Sequence, residues 1–391
     1  TVDCGYPHRG ISAGCSFATL WVQLYTLPPL QVWQGRCPQV SQNIFIDDLL
    51  GSATAPEEHL VVGRLTHGAA ELHRMIEEEL ECKVAMHKSI LLASSDKLLK
   101  KLQDAFGKFG GQAKKAAANL GVDHFVGRVR ARRTSTSTLR GRQRKLLRRC
   151  RRLRSLKRAG YNMRELFTTG LQSSSLYGAE VTGVDAAQLK EARCSYLNLV
   201  GSPSTSSSSA LTLALTGDPL WRQGLGPALT WAAIVWKSAT SSAFQKFMPL
   251  PQLGRLAGPA VQRLPRNWGE VRGPLGAAHL SLKRVGWSFE TPFTLRTPSG
   301  DVVPLTSTSP AMLAYHLHTD WKKGVEEQAS KALGLQGVQI DPSCYRAAMG
   351  GSRLSGRDRA LLRAFMCHAV WSKERKDAAA YEIDTTCPLC G

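Results

Sequence analysis

The apolar positions of the chain fall into a few readable segments. Residues 40–46 are rich in β-branched and aromatic side chains, Leu49 and Leu50 resume that character, and Gly51-Ser52 breaks it, which predicts strand, tight turn, strand. Over 57–80, Leu60, Val61, Leu65, Ala69, Leu72, Ile76 and Leu80 recur at helical spacing and predict a helix leading into a strand over 89–93. Residues 94–201 read as mainly helical. Within them Leu139, Leu146 and Leu153 stand at heptad spacing, with Leu147 and Leu156 beside them, so 139–156 predicts a helix with one apolar stripe. Residues 202–209 are almost all serine, threonine or proline and read as a flexible linker and a boundary. Beyond it a helix is expected over 227–244 with Trp231, Ile234 and Val235 inward, then a stretch of little periodicity over 249–286, dense in proline and glycine. A hairpin about Pro298-Ser299-Gly300-Asp301 follows, and helices over 310–333 and 356–380 complete the chain. The fold class this predicts is α+β, with helices on a small antiparallel sheet and then a mostly helical remainder.

Charge narrows the partners. Lys and Arg number 51 against 30 Asp and Glu, a formal net charge of +21, which suits a phosphate-binding protein. The cations are concentrated: every charged residue from 128 to 158 is Arg or Lys. The helix over 139–156 therefore carries a cationic face opposite its apolar stripe, formed by Arg140, Arg142, Arg144, Lys145, Arg148, Arg149, Arg151, Arg152 and Arg154. Three readings of this run stay open, a solvated basic face, a nuclear localisation signal and a grip on nucleic-acid phosphates. The ten cysteines are scattered apart from Cys387 and Cys390, which is not a disulfide framework and points to a reducing compartment, cytoplasm or nucleus, with the nucleus favoured. The longest apolar region, 17–33, is interrupted by Gln23 and Pro28-Pro29, so no membrane partner is expected.

Chemistry enters at Asn43-Ile44-Phe45-Ile46-Asp47-Asp48, where two adjacent carboxylates stand at the tip of the expected hairpin. Hard oxygen ligands on rigid backbone suit Mg²⁺ or Mn²⁺, and Asp47 is the expected direct ligand because neighbouring strand residues face opposite ways. Upstream lies Gly10-Ile11-Ser12-Ala13-Gly14-Cys15-Ser16-Phe17-Ala18; downstream come His87-Lys88-Ser89-Ile90-Leu91-Leu92 and Asn119-Leu120-Gly121-Val122. In that order these segments resemble motifs B, C, D and E of a reverse transcriptase palm, that of non-LTR (LINE-type) retrotransposons, over about the first half of the chain. Such a resemblance implies an RNA-directed DNA polymerase that adds deoxynucleotides to a primer end with two Mg²⁺ ions. Its partners would be an RNA template, a DNA primer and deoxynucleoside triphosphates.

By that resemblance Asp47 and Asp48 are catalytic metal ligands, Lys88 lies near the nucleotide phosphates, Gly14, Cys15 and Phe45 bind nucleotide, and Leu120 and Gly121 form a primer grip. It divides the chain into a partial palm (1–100), primer grip and basic helical thumb (101–201), linker (202–209), helical accessory region (210–380) and the start of a zinc knuckle (381–391). Cys387-x-x-Cys390 has the spacing of half a tetrahedral zinc site. Cys367 and His368 lie on a predicted helix and are expected on its buried face. The sequence departs from the family where Ser12 and Ala13 replace proline and glutamine, and no motif A aspartate lies among the nine residues before Gly10. The polymerase is therefore expected to be inactive as this piece. A non-catalytic RNA- or DNA-binding relic is the alternative, while Phe45 and Ile46 before the aspartates disfavour an RNA-dependent RNA polymerase.

Overall fold

The computed structural model describes residues 17–367, leaving out 46–47, 108–109, 120–121, 126–136, 160, 162, 201–207, 272, 336 and 339. It parts into two units, residues 1–135 and 136–391, each with its own core. Both mix helices with sheets of two or three strands, so the chain is α+β.

In the first unit, α1 (Ala18–Arg36) is followed by β1 (Ser41–Phe45) and β2 (Asp48–Ser52), an antiparallel hairpin in which Phe45 pairs with Asp48. Next comes α2 (Glu58–Arg74), ending in a π turn at Met75–Glu79, which realises the helix expected over 57–80. The strand expected over 89–93 is only β3 (Ile90–Leu91), which pairs in parallel with β4 (Gln112–Ala113) across α3 (Asp96–Phe106). Ser95 caps α3 by accepting from the Leu98 N–H at 3.1 Å, a contact typically worth about 1 kcal/mol. A second hairpin, β5 (Ala116–Asn119) and β6 (Val122–Phe125), closes the unit.

Two small cores hold these elements. Leu30, Trp33, Cys37 and Val40 pack on Met75 and Leu80, and the Trp33 indole donates to the Gly68 carbonyl at 2.8 Å. Val61 of α2 meets Leu98, Leu99, Leu102 and Phe106 of α3. Where the sequence suggested an interrupted apolar region, α1 runs unbroken through Pro28 and Pro29, yet Leu20, Trp21, Leu24 and Tyr25 on its first half stay exposed. No helix among the described residues is long and apolar enough to cross a membrane.

The second unit begins with α4 (Ser137–Arg158), continues through the short helical pieces Met163–Glu165, Leu166–Gln172, Ser173–Leu176 and Ala179–Thr182, and reaches α5 (Ala186–Val200). Helices α6 (Ser209–Thr216), α7 (Trp221–Thr240), α8 (Ser242–Phe247), α9 (Leu250–Val261) and α10 (Pro274–Lys283) follow. A three-stranded antiparallel sheet, β7 (Ser288–Thr291), β8 (Thr294–Arg296) and β9 (Val302–Pro304), contains the hairpin expected about 298–301 and one strand more. Helices α11 (Pro310–Ala332), α12 (Ser343–Gly350) and α13 (Gly356–Met366) end the described chain.

The boundary expected at 202–209 does not divide this core. Leu146, Phe167, Tyr196 and Leu199 before it share one cluster with Leu213, Leu225, Val235 and Leu317 after it. Ser208 caps α6, accepting from the Leu211 N–H, and residues 202–207 lie outside those described. The stretch 249–286 also differs from expectation, since it holds α9 and α10. Proline and glycine there are start signals, with Gly273 at the N-cap and Pro274 in the first turn of α10.

Candidate nucleic-acid interface

Helix α4 has two unlike sides. Leu139, Gln143, Leu146 and Cys150, spaced four, three and four residues apart, are buried, and Leu153 packs against the main core. That spacing keeps them on one stripe of an α-helix. Arg144, Lys145, Arg148, Arg149, Arg151 and Arg152 stand exposed on the remaining surface, and the helix contains no acid. Leu139 packs with Ala179 and Val184, while Leu146 and Cys150 join the main cluster, so the cationic surface is fixed by the interior of its own unit.

The expected cations do not all share one role. Arg142 is half-buried, donates to the Tyr177 carbonyl at 2.6 Å and sets its guanidinium 4.9 Å from the Tyr177 ring centroid, so it ties α4 to the next helical segment. Arg149 donates to the Ser174 hydroxyl at 3.2 Å while remaining exposed. Arg140 is half-buried, and the Arg154 side chain lies outside the described set. Gln143 and Cys150 complete the buried stripe and were not singled out from the sequence, because a polar residue and a thiol interrupt the leucine pattern.

The aspartate hairpin forms with the expected strands. Asp48 is the first residue of β2 and is exposed; Asp47 lies outside the described residues, as do Gly14 and Cys15. Phe45 ends β1, where its backbone pairs with Asp48. Lys88 ends the 3₁₀ turn Met86–Lys88, its N–H donating to the Ala85 carbonyl at 2.8 Å, and its side chain is exposed. Leu120 and Gly121 fall outside the described residues, between the paired Asn119 and Val122 of the second hairpin. No group of three or more histidine, cysteine, aspartate or glutamate residues that could hold a metal occurs among the described residues. One described carboxylate at the hairpin tip does not by itself make a Mg²⁺ site.

Cys387, Cys390 and His368 also lie outside the described residues. Cys367 is fully buried with Leu215 and Tyr345, and burial pushes its thiol pKa up, which disfavours the thiolate that zinc requires. This agrees with the expected buried position of Cys367. No family model matches the chain, and neither the curated proteins nor the solved structures contain a match to it.

Proposed function

We propose that this chain is part of a non-LTR reverse transcriptase and holds the template–primer duplex through phosphates on α4. The observation that carries the reading is the division of α4 into a buried stripe and an acid-free face of exposed cations. A helix fixed by its own core and charged on its outer side can follow a phosphate backbone without reading bases. The hairpin that delivers Asp48 directly after a two-residue connection supports the polymerase part of the reading. If Mg²⁺ serves the reaction, Asp47 and Asp48 are the residues that would hold it in this chain.

Binding titrations with a blunt DNA duplex at several salt concentrations test the grip. Each neutralised phosphate lowers log K by about 0.9 per decade of salt, so six engaged cations predict a loss of about a thousandfold between 50 and 200 mM. Replacing Arg144, Arg148, Arg151 and Arg152 with Gln should flatten the slope by about 3 to 4 units while leaving the buried stripe intact. An unchanged slope would mean that the face is solvated or serves as a localisation signal.

A further inference from the structure

The second unit contains a cavity of about 740 Å³, within the range of small-ligand sites and too small for a duplex. It adjoins α4, because Tyr177, which carries the half-buried Arg142 of that helix on its ring, also lines the cavity. Three aspects of its walls restrict what can enter.

The first is aromatic. Trp221 at the start of α7 and His318 of α11 stack with ring centroids 4.5 Å apart and planes 25° from parallel, and the Arg222 guanidinium sits 5.3 Å from the Trp221 ring centroid. Desolvation, with Lys322 and Arg222 nearby, lowers the proton affinity of His318, which favours the uncharged ring. The second is charge. Arg164, Arg222, Lys322 and Arg346 line the cavity with Glu180, Asp218 and Glu326. Two of the acids are paired with cations: Asp218 accepts from Arg193 at 2.6 Å and from the Trp321 indole at 3.1 Å, and Glu326 lies 3.3 Å from Lys322, while the exposed Glu180 accepts from the Gly178 N–H at 3.1 Å. Arg164, Arg222 and Arg346 are exposed and outnumber the exposed Glu180, so the mouth is net positive; Arg346 is held in place by donating to the Leu215 and Ala214 carbonyls. The third is rigidity. Trp321, one of the lining residues, packs directly on the α7 backbone at Gly224, where a Cβ would come within 2.4 Å of its ring.

Inorganic phosphate needs no aromatic wall, and an apolar ligand needs no arginines. A stacking plane beside cations is the combination that holds a single unpaired nucleotide, base on the ring and phosphate on the guanidinium. We propose that this cavity takes one unpaired nucleotide at the end of a duplex held on α4, its base against the Trp221–His318 stack and its phosphate at Arg222. This inference rests on the nucleic-acid reading of α4 for the duplex, but not for the cavity itself.

The test uses the full chain and a hairpin duplex, either blunt or carrying a one- or two-nucleotide overhang with 2-aminopurine, a base whose fluorescence falls on stacking. DNA and RNA overhangs are separate arms and identify which strand the cavity prefers. The overhang should tighten binding about tenfold over the blunt end and quench the 2-aminopurine. In R222Q, and more fully in R222Q/H318A, that advantage should vanish while blunt-duplex affinity stays unchanged. Equal affinity for both ends, unquenched emission, or a variant that weakens blunt and overhang binding alike overturns the proposal. Should no duplex bind, the α4 reading falls, and a free 5′-phosphorylated 2-aminopurine dinucleotide decides the cavity separately. Quenching by the wild type and not by R222Q/H318A upholds it; no quenching overturns it.

Discussion

His279 on α10 is half-buried, its Nδ1 has no hydrogen-bond partner, and Lys283 lies one turn further on. Desolvation first and the lysine second lower its pKa, and His318 shifts in the same direction. The folded chain therefore keeps both rings neutral at a pH where the unfolded chain, with histidines near the ordinary value of about 6.5, takes up protons. Their contribution is fully present above that value and declines as pH falls through it. The urea midpoint should thus drop between pH 7.5 and 5.5, and less steeply in His279→Gln; an equal drop in both proteins would remove His279 from the account. Nothing in the sequence marks this histidine, because its environment is made by tertiary packing. The same holds for Arg284, which donates to the carbonyls of Val184 and Gly224, where burial and the Arg193 cation bring its pKa to about 10.

Elements were legible where one side faces water. In α4 the heptad leucines Leu139, Leu146 and Leu153 gave the helix and its inward side from spacing, whereas Leu147 is only half-buried and Leu156 is exposed, off that stripe; the aspartate hairpin was readable because β-branched residues end at a turn. Helix α10 was not, since Leu275, Ala277, Ala278, Leu280, Ser281 and Leu282 are all buried, and only the narrow stripe through Gly276, His279 and Lys283 is left partly open, too little for an amphipathic period in the sequence. The cavity was illegible for a related reason: its walls come from 164–180, 213–226 and 318–346, which only the fold assembles. At the α4 stripe two substitutions should act in opposite directions. Leu146→Ala removes buried methyl groups and should cost about 2 to 5 kcal/mol. Gln143 is buried with its Nε2 amide lacking a partner, so Gln143→Leu should stabilise by about 1 kcal/mol. Urea midpoints at constant m value measure both, and a destabilised Gln143→Leu would show that the amide is satisfied in solution.

The whole chain consists of two separately cored units, and the cationic helix and the cavity both belong to the second. The serine-rich 202–209 looked like a boundary from composition, but composition does not report that Tyr196 and Leu199 before it and Leu213 after it enter the same interior. Helix α10 lies in that interior, with Ala277, Ala278 and Leu282 fully enclosed. The amide hydrogens of these three enclosed residues are the ones furthest from a local route to water. They should exchange with deuterium only when the entire second unit opens, so their exchange rate, followed by mass spectrometry, reports the unit's global free energy without denaturant. Ligand occupying α4 or the cavity would then register as slower exchange at a helix that touches neither phosphate nor base.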